Sequence, residues 1–140
     1  MRNFYIFYIN KEFKILSKDN PYNLYRTMEN IYYLDKQDLS IGTSLFEQVA
    51  VPFDKSEVNK FIFNNLRDND FYMTSRNSHK MYNKYKNETF IIETHFAYLS
   101  LKTNINKKDV FKNLYMNPNL FVCDFENKDY FWLENILVQN

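Results

Sequence analysis

Only one glycine, Gly42, and one cysteine, Cys123, occur in 140 residues, together with three prolines. One glycine cannot build a glycine-rich phosphate loop. Turns must instead come from Asn, Asp and Lys, of which Asn tolerates the left-handed backbone region best. A lone cysteine excludes an intramolecular disulfide. Two histidines, one cysteine and scattered aspartates show no metal-ligand spacing, so no zinc site is expected. No apolar run reaches the ~18–20 residues of a membrane span. The opening Met1-Arg2-Asn3-Phe4-Tyr5-Ile6 is too short and too aromatic for a signal peptide and has no small-residue cleavage site. A cytoplasmic protein is the expectation. The formal net charge of +1 supplies no diffuse field toward nucleic acid or any other partner.

What the chain has in quantity is Asn, Lys, Ile, Tyr and Phe, with 14 Phe and 12 Tyr. AT-rich codons encode these residues, so the aromatic excess reads first as genome bias. The length suits one domain spanning 1–140, large enough for a core without disulfides or metal. Residues 3–9 form an aromatic and β-branched run, the mark of a strand covered on both faces. A short helix follows over 11–18. Asp19 or Asn20 then offers a cap with Pro21 in the first turn, and Leu24, Tyr25, Met28, Ile31 and Tyr32 make one helical stripe. Residues 35–53, interrupted by Gly42, are the least legible. Asp54 and Glu57 make a capping-box pattern before a second helix with Val58, Phe61, Ile62 and Leu66 on one side. After residue 70 the period becomes extended. Strands are expected at 71–75, 90–92 and 98–101, with 76–88 an exposed loop or irregular hairpin. A short helix fits 107–115, and strands 119–125 and 130–133 flank a four-residue turn, closing the chain on a hairpin. The expected fold is a single-domain α+β structure with a mixed or antiparallel sheet and about three to four helices.

No set of side chains has matched catalytic roles, so an enzyme is not expected. Cys123 with His95 or His79 could be written as a nucleophile and base. Alternation, however, places Cys123 between Phe121 and Phe125, where a thiol is an apolar filler. Glu126 and Asp129 read as solvated turn charges. Trp132 reads as core, with Tyr130 on its face and Phe131 and Leu133 on the other. The stretch from His79 to Lys86 interleaves lysines with aromatics, the pattern of a single-strand nucleic-acid surface, although a solvated loop or edge strand explains it as well.

Both ends of the chain resemble the family of the sporulation inhibitor of replication, SirA. The N-terminal match is Phe4-Tyr5-Ile6-Phe7-Tyr8-Ile9-Asn10-Lys11-Glu12-Phe13. The C-terminal match is the skeleton Asp124-Phe125, Lys128, Tyr130, Trp132-Leu133. The middle, from about 35 to 88, aligns loosely. The resemblance implies a protein that binds the N-terminal domain of the initiator DnaA and restrains initiation by protein–protein contact. It implies no cofactor, small-molecule substrate, membrane or direct nucleic-acid contact. The family's contact residues fall on Phe13, on Thr43 and Phe46 before Pro52, and on Ser17, where this chain lacks the family's aromatic ring and Leu16 is the neighbouring apolar side chain. Phe13 and Phe46 are thereby expected on one exposed patch. A regulatory interaction domain of the same fold with another partner is the alternative implied by the change at Ser17. A single-stranded nucleic-acid binder using Lys80–Lys86 is the rival from a different class.

Overall fold

The computed structural model describes residues 1–37 and 39–137, with the side-chain surroundings of 35–41 left aside. The first strand organises everything else. In β1 (Arg2–Ile9), Phe4 and Ile6 enter one hydrophobic cluster while Phe7 and Ile9 enter another, so an uninterrupted apolar run serves two cores through simple alternation. Antiparallel neighbours flank it: β6 (Leu99–Thr103) pairs with residues 2–6, and β7 (Leu120–Asp124) pairs with residues 5–8. The short β2 (Ala50–Val51) pairs with Ile9 and Tyr8. With β3 (Tyr72–Ser75), β4 (Ser78–Asn83), β5 (Glu88–Thr94) and β8 (Asp129–Trp132), the sheet runs β3-β4-β5-β6-β1-β7-β8, and all its pairings among the described residues are antiparallel.

Helices lie on both faces. On one, α1 (Lys11–Ser17), α2 (Pro21–Gln37) and α3 (Leu39–Val49) share a core with Phe7, Ile9, Phe121, Cys123, Phe125 and Trp132. On the other, α4 (Lys55–Leu66), α5 (Lys107–Phe111) and α6 (Leu133–Leu137) pack with Phe4, Ile6, Phe90, Ile92, Leu99 and Leu101. The expected α+β domain is therefore right in class. The helix number is higher than expected, six among the described residues, because α3 and α6 were not legible.

Sequence signals account for most boundaries. Asn20 Oδ1 accepts from the Asn23 amide at 3.4 Å, so Asn20 caps α2. Asp54 Oδ1 accepts from the Glu57 amide at 3.2 Å and opens α4. The stripe Leu24, Tyr25, Met28 and Ile31 is buried as its spacing requires. Gly42 is a correction: it interrupts nothing, lying buried within α3, despite costing a helix interior roughly 1 kcal/mol relative to alanine. Among the described residues, the left-handed turn positions fall instead on Arg76, Asn87 and Lys128, one of them asparagine. Of the two forms expected for residues 76–88, an exposed loop or an irregular hairpin, the hairpin is nearer: they form regularly paired strands, with β4 inside the sheet rather than at its edge. The hairpin β7–β8 forms as expected but does not close the fold, since Leu133 starts α6. Trp132 is buried in the cluster that Tyr130 packs against, and Leu133 in the opposite one with Phe131.

Candidate partner-binding surface

The segment after β1 is short, yet it is fixed at both ends. Asn10 Oδ1 accepts from the Phe13 amide at 2.7 Å and caps α1. The Asn10 side-chain amide donates to the Gln48 carbonyl at 2.9 Å, and its backbone amide donates to the Val49 carbonyl at 2.9 Å. The start of α1 is thus bolted to the end of α3. Lys14 then donates to the Pro118 carbonyl, pairs with Glu134 at 2.8 Å, and stands 5.2 Å from the Trp132 ring centre. Helical spacing turns Phe13 and Ser17 inward, where Ser17 is buried and Phe13 packs half-buried on the core. The same spacing turns Ile15 and Leu16 outward, 75% and 77% exposed. Two adjacent aliphatic side chains in water on an immobilised helix stand out, because no described element covers them.

On the same helical layer lies an apolar groove of about 290 Å³. Phe7 of β1, Ile31 and Tyr32 of α2, and Thr43, Phe46 and Glu47 of α3 line it, closed by Pro52 and the turn Phe96-Ala97-Tyr98. The Phe53 amide donates to the Phe96 carbonyl at 2.8 Å and holds that turn in place, leaving the Phe96 ring exposed. Thr43 is exposed on the groove, while Phe46, only 8% exposed, belongs to the core beneath it.

The residues expected to form the site therefore separate. Thr43 and Leu16 face solvent. Phe13 and Phe46 do not form one exposed patch, since each packs on the core behind its helix. Ser17 points inward, so an aromatic ring at that position would sit against the core rather than in solvent. Ile15 and Phe96 were missed. Ile15 was within reach, because an inward Phe13 on a 3.6-residue period forces its i+2 neighbour outward. Phe96 gives no sequence signal, being a single ring in a bend.

Groups with chemical reactivity are committed elsewhere. Cys123 is buried, and its thiol is pushed well up by burial and, less, by the Glu29 carboxylate. His79, expected in a loop, is buried in β4. Its Nε2 lies 2.9 Å from Asn59 Oδ1, which also accepts from the Thr94 hydroxyl at 2.8 Å. Nε2 therefore carries the proton, and Nδ1 accepts from the Tyr72 hydroxyl at 2.7 Å. Asp129 is a further correction, since it is not a solvated turn charge. Arg2 bridges it at 2.8 Å to the buried Asp124 at 2.9 Å, and Lys107 adds a second cation. Burial alone would raise the Asp129 carboxyl, but the hydrogen bonds from Lys107 and Arg2 outweigh it and hold the group below the usual carboxylate range. Among the described residues, no three His, Cys, Asp or Glu side chains gather as a metal site, and no helix is long and apolar enough to cross a membrane. No protein-family model matches the chain, and neither does any curated protein sequence.

Proposed function

We propose that the protein restrains replication initiation by stoichiometric binding to the N-terminal domain of DnaA. The observation that carries this reading is the exposed pair Ile15-Leu16 on a helix clamped by Asn10 and Lys14. An apolar contact that is rigid before binding loses little entropy on docking, which is what a competitive protein inhibitor needs. The apolar groove beside Thr43 and Phe96 supplies a second contact on the same layer. The resemblance of both chain ends to the SirA family supplies the partner, and it places contacts on α1 and α3.

The test is titration calorimetry with the purified DnaA N-terminal domain. Leu16→Ala is expected to weaken binding about thirty-fold, the effect of losing an anchor worth ~2 kcal/mol, with the melting temperature unchanged. Phe13→Ala, by contrast, is expected to lower the melting temperature, because the ring packs on the core. A wild-type protein that binds no DnaA domain while Leu16→Ala still loses capture of some other protein would move the partner, not the surface. Binding to DnaA that is indifferent to Leu16→Ala would move the surface.

A further inference from the structure

Among the described residues, the helical layer of α1–α3 covers β1, β2, β7 and β8, with the turn before β6 at its margin. Beyond it, no described helix covers this face of β3, β4, β5 and β6. Met81, Phe90, Ile92, Leu99 and Leu101 fill the core on the far side, so their sequence neighbours point to solvent. Strand register then builds a row across five strands: Met73, Lys80, Ile91, Lys102 and Asn3 stand side by side. Met73 is 68% exposed, and Lys80 and Lys102 are exposed. Tyr82, two residues after Lys80 and on the same face, is 56% exposed. The linear stretch His79–Lys86 is thereby split. His79 and Met81 go to the core, while Lys80 lines up across Ile91 with Lys102, which lies 22 residues away in sequence but only two strand spacings, about 9–10 Å, away by register.

We infer that this open sheet face binds single-stranded nucleic acid. Charge complementarity selects the occupant. Two cations stand on the face itself, and the turns that bound it carry exposed Arg76, Lys84 and Lys86. The opposing carboxylate on the face is Glu93, 3.7 Å from His95. Neither Lys80 nor Lys102 is held in an ion pair with another described residue. A polyanion gains from cations held in no ion pair, and an unstacked base gains from the exposed Tyr82 beside Lys80 on the same strand face. A duplex presents neither free base faces nor a flat surface, so the strand must be single.

The test is fluorescence anisotropy of labelled oligothymidylate and oligouridylate of roughly 15 nucleotides, a length that spans one such face. The wild-type protein is expected to bind both, and binding should fall steeply between about 50 and 200 mM salt. Lys80→Glu with Lys102→Glu is expected to weaken binding at least tenfold, and Tyr82→Ala about fivefold or more. All three side chains are exposed, so melting temperatures should stay unchanged. Affinity for the DnaA domain should also stay unchanged, which separates this face from the surface on α1. No binding at the lower salt, or full binding by the double charge reversal, overturns the inference. So does sedimentation showing wild-type dimers that the double variant abolishes without any oligonucleotide binding, since the occupant would then be a second copy of the chain.

Discussion

At the residue scale, the aromatic excess divides into rings with structural roles and a few without. Phe125 stacks on Tyr5 and Tyr32 at centroid distances of 5.5 and 5.0 Å, and Tyr25 stacks on Tyr130 at 5.0 Å. These rings fill the space between sheet and helices, an arrangement that contributes beyond the area buried. Cys123 sits in the same layer, in register with Tyr130 and Tyr5. A serine there places a hydroxyl in a fully buried site where no described polar group bonds the thiol. Cys123→Ser is therefore expected to cost ~1–3 kcal/mol in denaturant unfolding and to leave DnaA affinity unchanged. A variant of undiminished stability that no longer binds would give the thiol a role in function.

At the element scale, the β3–β4 hairpin is held to α4 by a polar bond system rather than by apolar packing alone. Asn59 of α4 accepts from His79 and Thr94 and donates to Asn77 at 2.8 Å, while Tyr72 and His79 stack and share a hydrogen bond. Burial lowers the His79 pKa, because the charged ring is penalised where it sits. The unfolded chain, with histidine near pKa 6.5, then binds the proton more readily than the folded one. Stability from this group is complete above about pH 6.5 and declines as pH falls toward the lower folded value. Asp129 acts only in the carboxylate range, well below that window. Urea unfolding between about pH 7.5 and 5.5 is expected to show a fall in stability that His79→Gln removes; equal slopes in both proteins would mean that the ring is protonated without cost. This bond system also marks where the sequence was legible and where it was not. The cap at Asp54, the cap at Asp19 or Asn20 that falls on Asn20, and the alternation through Cys123 and Trp132 all follow from local rules. The burial of His79 depends on Asn59, twenty residues away, and the exposure of Leu16 depends on what fails to cover α1. Tertiary contacts of that kind leave no periodic trace. Gly42 misled for a related reason, since packing overrode its low helix propensity.

At the scale of the whole molecule, the sheet is covered unequally, and this sets an order of stability. β1 and β7 carry helices on both faces, and their central residues Ile6, Phe7, Phe121 and Val122 are fully or almost fully buried. β3 lies at an edge, with one face open and three of its four residues exposed. Its neighbour β4 depends on the His79 bond system and on Met81 for attachment to the core. Opening the hairpin therefore exposes little apolar surface, whereas separating β1 from β7 exposes both cores at once. Local opening free energies follow that difference, because amides exchange through the cheapest opening available to them. Hydrogen exchange is expected to be slowest at Ile6, Phe7 and Val122, with the amides of 72–83 exchanging as a faster cooperative group. His79→Gln should speed that group selectively and leave β1 and β7 at the global rate. Uniform protection across all strands would show that the open half of the sheet is as firmly held as the covered half, and that its bare face owes its rigidity to something other than α4.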